Sequence, residues 1–384
     1  MCSVILPFIT DGHPFHCDIE RLRDQLGAVA VPLSSGRNVV SSEIRGRRLD
    51  GGGFALDRFY CSMQHWSDGV EGFDASSLYF DSRDTAPRCY RFPDEPYLVT
   101  LAPYLSSRGL DRPEGRLEVL RYVPLRRFTF RAPRHDCNSG YEIGKFKRRS
   151  RLHESYQRMT AVATAVQSTT AGFAVPAPAG VDPDHSIYFQ DDVTGIDLAT
   201  AAAGDRQVLE LSAHVLAAFH SVTPPALPAL DKESFHTGIA RDLEWIGFHA
   251  PALGDLVDRA ARALANPPPL ESSVLAHGDF VPSHVLRHGD ALTVIDLDLA
   301  HVGDRYREVA MMLASLPIDT PSVQPDTSAI IAAYEQRAGH RLEPRRLAWH
   351  RLAAEAYYLA LAFSKDRPID SLPLTTATDE LEAA

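Results

Sequence analysis

Residues 275–304 read LAHGDFVPSHVLRHGDALTVIDLDLAHVGD, and this stretch says more about the fold than any other part of the sequence. A short apolar run leads into Asp279 and a second run, at 292–295, leads into Asp296, so each carboxylate is predicted to follow a β-strand. The polar residue His284 comes five positions after Asp279, just before another apolar pair. The pattern therefore predicts two carboxylates and one coordinating side chain at a shared loop edge.

Phosphoryl transfer needs such a set of side chains. One Asp accepts the proton of the acceptor hydroxyl, while a second Asp and an Asn-type ligand hold the Mg²⁺ that bridges the nucleotide phosphates. Asp279 is the predicted catalytic base, and Asp296 and His284 are the predicted metal ligands. Asp298 is expected on the same strand face as Asp296, where it either contacts a second metal ion or holds the loop.

At this point the chain resembles the aminoglycoside phosphotransferase and choline kinase family, which has a protein-kinase-like fold. The family pattern H-G-D-x-x-x-x-N, then I-D-x-x-x-x-x-G-D, is matched at 277–279, 295–296 and 303–304. The segment LAAFH at 216–220 is similar to the family's helix before the catalytic loop. The resemblance covers about residues 115–365. With its long leader before the first matched strand, the chain is most similar in layout to the maltokinase-like sugar kinases.

The departure from the family pattern is His284, where the family usually has Asn. Mg²⁺ prefers oxygen ligands, whereas an imidazole nitrogen suits softer metals such as Mn²⁺ or Zn²⁺. Three interpretations follow: His284 does not coordinate and water takes its place, the metal preference has shifted, or the activity is impaired. The predicted cofactors are ATP and Mg²⁺, with Mn²⁺ as the alternative that His284 introduces.

Lysine is rare in this chain, where almost all basic residues are Arg. The strand predicted over 142–146 resembles the family strand that bears the phosphate-binding lysine, which implies that Lys145 reaches the phosphates. Ile143 shares a strand face with Lys145 and is expected to pack on adenine. The resemblance also implies that Glu154 pairs with Lys145, and a solvated glutamate is an equal alternative. Further nucleotide-binding candidates lie in a hairpin turn and in the predicted hinge strand: Arg126, Phe189, Gln190 and Asp191.

Local patterns predict a strand-rich part followed by a helix-rich part. Alternation over 117–131 predicts a hairpin, and further strands are predicted at 141–146 and 187–189. From Asp197 onward the apolar residues recur at helical spacing. The predicted helices cover 199–203, 208–219, 240–245, 253–264 and 347–363. The first hundred or so residues predict only irregular α+β structure.

Together with the resemblance, these patterns predict an α+β, bilobal, protein-kinase-like fold. We expect an N-terminal cap subdomain at 1–112, a nucleotide-binding N-lobe with an antiparallel sheet at 113–195, and a mainly helical C-lobe at 196–384. The C-lobe carries the catalytic and metal loops. Candidate acceptor-binding residues lie on its helices: Asp242, Glu244, Trp245 and Glu355.

Composition excludes several other classes of protein. The net charge is −11, and an acidic chain offers little to a phosphate polymer, so a nucleic-acid partner is not expected. The five cysteines are scattered, which argues against a disulfide framework and favours a reducing compartment. No apolar stretch approaches the roughly 18–20 residues that span a bilayer. We therefore expect a cytoplasmic protein without a membrane partner, as a monomer or a homodimer.

The function that these residues predict is ATP-dependent phosphorylation of a hydroxyl on a small molecule. The resemblance implies a sugar or a sugar-containing metabolite as acceptor, with an aminoglycoside-type antibiotic as the alternative. A pseudokinase that binds nucleotide without turnover is a second alternative, because of His284 and the absence of a Gly-rich loop. A third is a metal-dependent hydrolase, although the spacing fits no H-E-x-x-H pattern. Its candidate residues are His277, Asp279, His284, Asp296 and His301.

Overall fold

The computed structural model describes residues 37–48, 54–66, 73–81, 88–94, 96–111, 116–134, 140–203, 205, 207–270, 273–365 and 372–383. The chain divides into two compact units. The first contains the described parts of Met1–Leu152, Ala179–Asp192 and Ala362–Pro368, and the second contains those of His153–Pro178, Val193–Leu361 and Ile369–Ala384. Antiparallel sheets dominate the first unit and helices the second, which confirms the predicted α+β class. The finer division at residues 112 and 195 stays a prediction.

The first unit begins with a four-stranded antiparallel sheet. Its strands, in spatial order, are β1 (Arg37–Arg48), β2 (Phe54–Trp66), β3 (Phe73–Asp81) and β4 (Arg88–Arg91). The prediction of irregular structure is wrong for these strands. Residues 92–94 and 96–100 are turns and irregular backbone, and the other residues up to 100 lie outside the described part. Polar residues hide the strand pattern, because Ser62, Gln64 and Ser77 are buried in this sheet. The hydroxyl of Ser77 donates to that of Ser62 on the neighbouring strand at 2.9 Å.

A second antiparallel sheet, of five strands, completes the first unit. In chain order its strands are β5 (Glu118–Val123), β6 (Arg127–Pro133), β7 (Tyr141–Lys147), β8 (Pro178–Asp182) and β9 (Ile187–Asp191), and in space they run β5-β6-β7-β9-β8. The predicted hairpin and the two further strands are confirmed. Helix α1 (Leu101–Ser107) shares one buried core with both sheets, in which Ala75 and Tyr104 pack with Phe128 and Phe146.

The second unit is built mainly from helices. Helix α2 (Arg149–Gln167) starts in the first unit and continues into the second. The helices that follow are α3 (Leu198–Ala202), α4 (Val208–Ser221), α5 (Lys232–His249), α6 (Gly254–Leu264), α7 (Arg305–Asp319), α8 (Thr327–Ala338), α9 (Pro344–Ser364) and α10 (Leu372–Ala383). The five helices predicted after Asp197 are confirmed, and α5 is longer than its predicted core. None of the described helices is long and apolar enough to cross a membrane.

Two small sheets in the second unit position the site. β10 (Ile196–Asp197), β12 (Val285–His288) and β13 (Ala291–Val294) form one sheet, and β11 (Val274–Ala276) pairs with β14 (His301–Gly303) in the other. Both pairings, β11 with β14 and β12 with β13, are antiparallel. The segment 277–284 therefore links the same two sheets as the segment 295–300. This topology brings the two connecting segments together.

Candidate active site

Three of the predicted site residues meet where these two segments come together. Each of Asp279, His284 and Asp296 offers a ligand atom, and the three atoms all lie within 4.8 Å of one another. The Nε2 atom of His284 is 3.8 Å from Oδ2 of Asp296. All three residues are half-buried, so part of each remains accessible to solvent. Their roles as base and metal ligands stay predictions.

The backbone at Asp296 turns the chain sharply. Its φ of 63° and ψ of 51° lie in the left-handed region, which Asp adopts more readily than most residues. Strand β13 ends at Val294, and residues 297–299 form a short 3-10 helix. The prediction that Asp298 shares a strand face with Asp296 is therefore wrong. Asp298 is buried in the 3-10 turn and is not a member of the three-residue group.

His277 joins the two segments through both of its ring nitrogens. Its Nε2 atom donates to the carbonyl oxygen of Ile295 at 2.8 Å, and its Nδ1 accepts the backbone N–H of Asp279 at 3.3 Å. One donor and one acceptor are what a neutral imidazole provides. Burial lowers the pKa of His277, and the nearby His284 lowers it further, so the neutral form is favoured. His277 therefore acts as a neutral link beneath the site.

Gly278 allows the two segments to approach closely. Its φ is 87°, a conformation that glycine adopts without strain. A Cβ atom built at this position would overlap the carbonyl oxygen of Leu299. Glycine is thus required here for two reasons, the backbone conformation and the close contact.

Glu308 is a site residue that the sequence reasoning missed. Its carboxylate, buried in the first turn of α7, accepts the backbone N–H groups of His277 (2.7 Å) and Gly278. It also accepts from Nε2 of His220 at 3.1 Å, and the other ring nitrogen of His220 is 2.7 Å from the hydroxyl of Tyr334.

The environment keeps Glu308 ionised. Burial raises its pKa, but the hydrogen bond from His220 and the electrostatic interaction with that ring outweigh burial and lower the pKa to about 2. A carboxylate anchors the loop better than a neutral acid, because both of its oxygens accept. The signal in the sequence is an acidic residue directly before the apolar run VAMML (309–313), on a helix that is mostly buried.

Asp304 and Glu154 hold neighbouring elements of the second unit. Asp304 caps α7 by accepting the N–H of Tyr306 at 2.8 Å. Glu154 accepts from Arg158 at 2.6 Å, and Arg158 also donates to the carbonyl oxygen of Ala300 at 2.6 Å. Glu154 therefore takes part in tying α2 to the loop after Asp296, and its pairing with Lys145 stays a prediction.

The predicted nucleotide-binding residues of the first unit lie on the paired strands β7 and β9. Lys145 is opposite Tyr188 and Ile143 is opposite Gln190, so these four side chains share one face of the sheet. Lys145 is buried, and its Nζ lies 5.7 Å from the centre of the Tyr188 ring. Phe189 belongs to the aromatic core on the opposite face. Its side chain is therefore used in packing, which leaves its backbone for the predicted hinge role.

Two other predicted nucleotide-binding residues form ion pairs within the first unit. Arg126 lies 3.1 Å from the buried carboxylate of Glu43 on β1. Burial raises the pKa of Glu43, but the positive charges of Arg126 and Arg45 outweigh it and lower the pKa overall. Asp191 accepts from Arg134 at 2.8 Å. Phosphate contact by Arg126 and adenine contact at Asp191 stay predictions.

The candidate acceptor residues lie on α5 and α9. Trp245 is buried against His249, with ring centres 4.2 Å apart, and Glu244 is exposed. Burial raises the pKa of Asp242 even though Arg241 opposes the shift. Burial also raises the pKa of Glu355, to about 7. Within the described residues, none of the four candidates belongs to the group formed by the two aspartates and the histidine.

The three converging side chains suit a divalent cation. Two carboxylates supply the hard oxygen donors that Mg²⁺ and Mn²⁺ both accept, and the imidazole adds one nitrogen donor. A carboxylate beside such a cation is the arrangement that phosphoryl transfer in kinases uses. The protein is thus a phosphotransferase of the small-molecule kinase type.

The family comparison agrees with this class. Residues 134–353 match the family described as "Phosphotransferase enzyme family" (APH), which is more than half of the chain. The protein belongs to this family, as the sequence pattern predicts.

Several solved structures are similar to this chain. The choline/ethanolamine kinase family protein from Mesorhizobium loti is 15% identical, covers 70% of this chain and 87% of its own, and has a TM-score of 0.45. Ethanolamine kinase from Plasmodium vivax is 12% identical, with coverages of 74% and 86% and a TM-score of 0.46. Aminoglycoside phosphotransferase APH(4)-Ia is 15% identical, with coverages of 74% and 97% and a TM-score of 0.49. No curated protein matches the sequence.

Proposed function

We propose that the protein transfers the γ-phosphoryl group of ATP to a hydroxyl of a sugar or a sugar-containing metabolite. The observation that carries this proposal is the convergence of Asp279, His284 and Asp296, whose ligand atoms lie within 4.8 Å of one another. The loop that bears Asp279 is held from below by Glu308 and His277. Positioning of this kind is most of what phosphoryl transfer asks of a protein.

In the proposed reaction Asp279 accepts the proton of the acceptor hydroxyl. The hydroxyl oxygen forms a bond to the γ-phosphorus, the bond from that phosphorus to the β,γ-bridging oxygen breaks, and ADP leaves. A divalent cation held by Asp296 and His284 would neutralise the phosphate charge. Asp279 stays beside the attacking oxygen throughout, because its loop is fixed by backbone hydrogen bonds to Glu308.

The nucleotide is proposed to bind along the face of β7 and β9 that carries Lys145. The Lys145 ammonium supplies a compact charge for the phosphates, and Ile143 offers an apolar contact for adenine. Both side chains lie on the face shared with Tyr188 and Gln190. The backbone of Phe189–Asp191 is the proposed hinge.

A polyhydroxylated acceptor is supported by the acidic side chains of the second unit. Asp242 and Glu355 are both largely buried, and a carboxyl group in such a place binds hydroxyl groups well. The layout with a long N-terminal part also resembles that of sugar kinases. The alternative, an aminoglycoside acceptor, would use the same acids as partners for ammonium groups.

A direct test is ADP release from ATP with a panel of sugars and a panel of aminoglycosides. We expect turnover with a sugar, and an Asp279→Asn variant should lose about 10²–10⁴-fold in kcat while still binding nucleotide. Asp290→Asn, in the exposed turn between β12 and β13, is the matched control and should keep full activity. Turnover with aminoglycosides alone would replace the proposed acceptor. Nucleotide binding with no ADP release from either panel would favour the pseudokinase.

A further inference from the structure

We propose that this site takes Mn²⁺ in preference to Mg²⁺ and that Nε2 of His284 is a direct ligand to the ion. This inference rests on the proposed function in one respect: the metal ion and the proposed reaction share the site formed by Asp279, His284 and Asp296. It decides among the three interpretations of His284 that the sequence leaves open.

The hydrogen bonding of His284 fixes which ring nitrogen is available. Its Nδ1 atom is 2.8 Å from the backbone carbonyl oxygen of Asp279. A carbonyl oxygen only accepts, so Nδ1 carries the hydrogen and Nε2 of the neutral ring has a free lone pair. A backbone carbonyl bonded to the far nitrogen is the support that metal-binding histidines generally have.

The free nitrogen lies at the correct place for an ion. Nε2 of His284 is 3.8 Å from Oδ2 of Asp296, which is too long for a hydrogen bond. Metal bonds of about 2.1 Å place two ligand atoms about 3.0 Å apart at a right angle and about 4.2 Å apart when opposite. The observed separation falls between these values. The ring is also held by stacking on His277, with centres 5.8 Å apart, so little reorganisation is needed on binding.

The kind of donor then selects the metal. Mg²⁺ demands near-ideal octahedral oxygen coordination and loses its water reluctantly. Mn²⁺ accepts carboxylate and phosphate oxygens equally well, and it also binds imidazole nitrogen. Asp296 and His284 present one carboxylate and one imidazole to the ion, a pair that Mn²⁺ can use fully and Mg²⁺ only in part, and Asp279 is left for the acceptor hydroxyl.

The test uses the full chain with Mn²⁺ alone as the probe. Titration followed by electron paramagnetic resonance gives the affinity for Mn²⁺, and competition gives that for Mg²⁺. Pulsed measurements detect a directly bound histidine as a ¹⁴N coupling. We expect Mn²⁺ to bind at least about tenfold more tightly than Mg²⁺, with a ¹⁴N coupling.

Variants of His284 test whether the ¹⁴N coupling comes from this side chain. His284→Asn and His284→Gln should both lose the coupling and bring the two affinities together, whereas the exposed His288→Asn should change neither. Two replacements are used so that misfolding of one leaves the other informative. Mn²⁺ bound without a ¹⁴N coupling, equal affinities in the wild type, or a coupling that survives in both His284 variants would overturn the proposal.

Failure of this inference differs from failure of the proposed function. A ¹⁴N coupling and a preference for Mn²⁺, with no ADP formed from any acceptor, would remove the kinase proposal and leave the metal assignment standing. Turnover as fast with Mg²⁺ as with Mn²⁺, and no coupling, would do the reverse.

Discussion

The carboxylate of Glu308 accepts the backbone N–H of His277 at 2.7 Å, across a separation of 31 residues in the sequence. The same carboxylate accepts the N–H of Gly278, so one helical side chain fixes the start of the loop that bears Asp279. The ionised carboxylate of Glu308 is buried, but it accepts several hydrogen bonds, and a buried charge is stable under this condition. The position of the proposed base therefore depends on a residue that is not itself a member of the group formed by Asp279, His284 and Asp296.

Replacing Glu308 by Gln should lower both stability and turnover. The amide keeps the shape but places an NH₂ group where an acceptor is needed, so we expect a loss of about 2–4 kcal/mol in the free energy of unfolding. Loosening of the loop should lower kcat by about 10–100-fold and leave KM for ATP almost unchanged. Urea unfolding and steady-state kinetics measure the two effects. Glu233→Gln, exposed in the first turn of α5, is the control, and an equal loss there would contradict the role of Glu308.

The pH dependence of stability should carry the signature of Glu355. Burial raises its pKa from 4.5 to about 7, so the folded state binds more protons than the unfolded state between these two values. Stability therefore falls as the pH rises through this window, by up to about 3 kcal/mol from this group.

Glu355→Gln removes that dependence. The variant should be more stable than the wild type at pH 8, and the difference should shrink as the pH falls from about 7 to 4.5, since the folded wild-type side chain takes up its proton in this window. Urea unfolding at several pH values measures it. A difference that stays constant with pH would show that the side chain is not buried as a free acid.

Gly278→Ala should destabilise the protein more than the loss of glycine's conformational freedom alone would. The substitution strains the backbone and also forces a Cβ against the carbonyl oxygen of Leu299, so we expect a loss of about 1–3 kcal/mol and little activity. Gly289→Ala is the matched control, because its φ of 60° is also positive but no atom lies within 4 Å of a Cβ there. Thermal unfolding of both variants separates the strain from the contact. Equal losses would show that the contact is unimportant.

Lys145→Met should weaken nucleotide binding. A charge-assisted contact to phosphate contributes about 1.5–3 kcal/mol, so KM for ATP should rise at least about tenfold. Lys147→Met, two residues along the same strand and more exposed, is the control. Calorimetric titration with ATP compares the two variants, and the proposed binding face would be rejected if Lys147→Met had the larger effect.

Local sequence patterns were enough for much of the second sheet and for five of the ten described helices. The hairpin around Pro124–Arg126 and the strand at Lys145 follow from alternation and turn residues, which act over a few positions. The N-terminal sheet was missed because Ser62 and Ser77 pair in its buried part, so apolar and polar residues do not alternate there. Asp298 was misplaced because strand parity does not survive the left-handed turn at Asp296.

The sequence by itself determined the family, the helical and sheet-rich parts of the chain, and the three candidate site residues Asp279, His284 and Asp296. Motif and periodicity are properties of neighbouring positions, so they can be recognised without the fold. The sequence also predicted that these side chains share a loop edge. Only the tertiary structure decided that their ligand atoms lie within 4.8 Å of one another, that Glu308 anchors their loop, and that Nδ1 rather than Nε2 of His284 bonds to the backbone. Each of those facts depends on a hydrogen bond or an approach that folding creates, either across tens of residues or through a single backbone turn. No local pattern encodes such a contact.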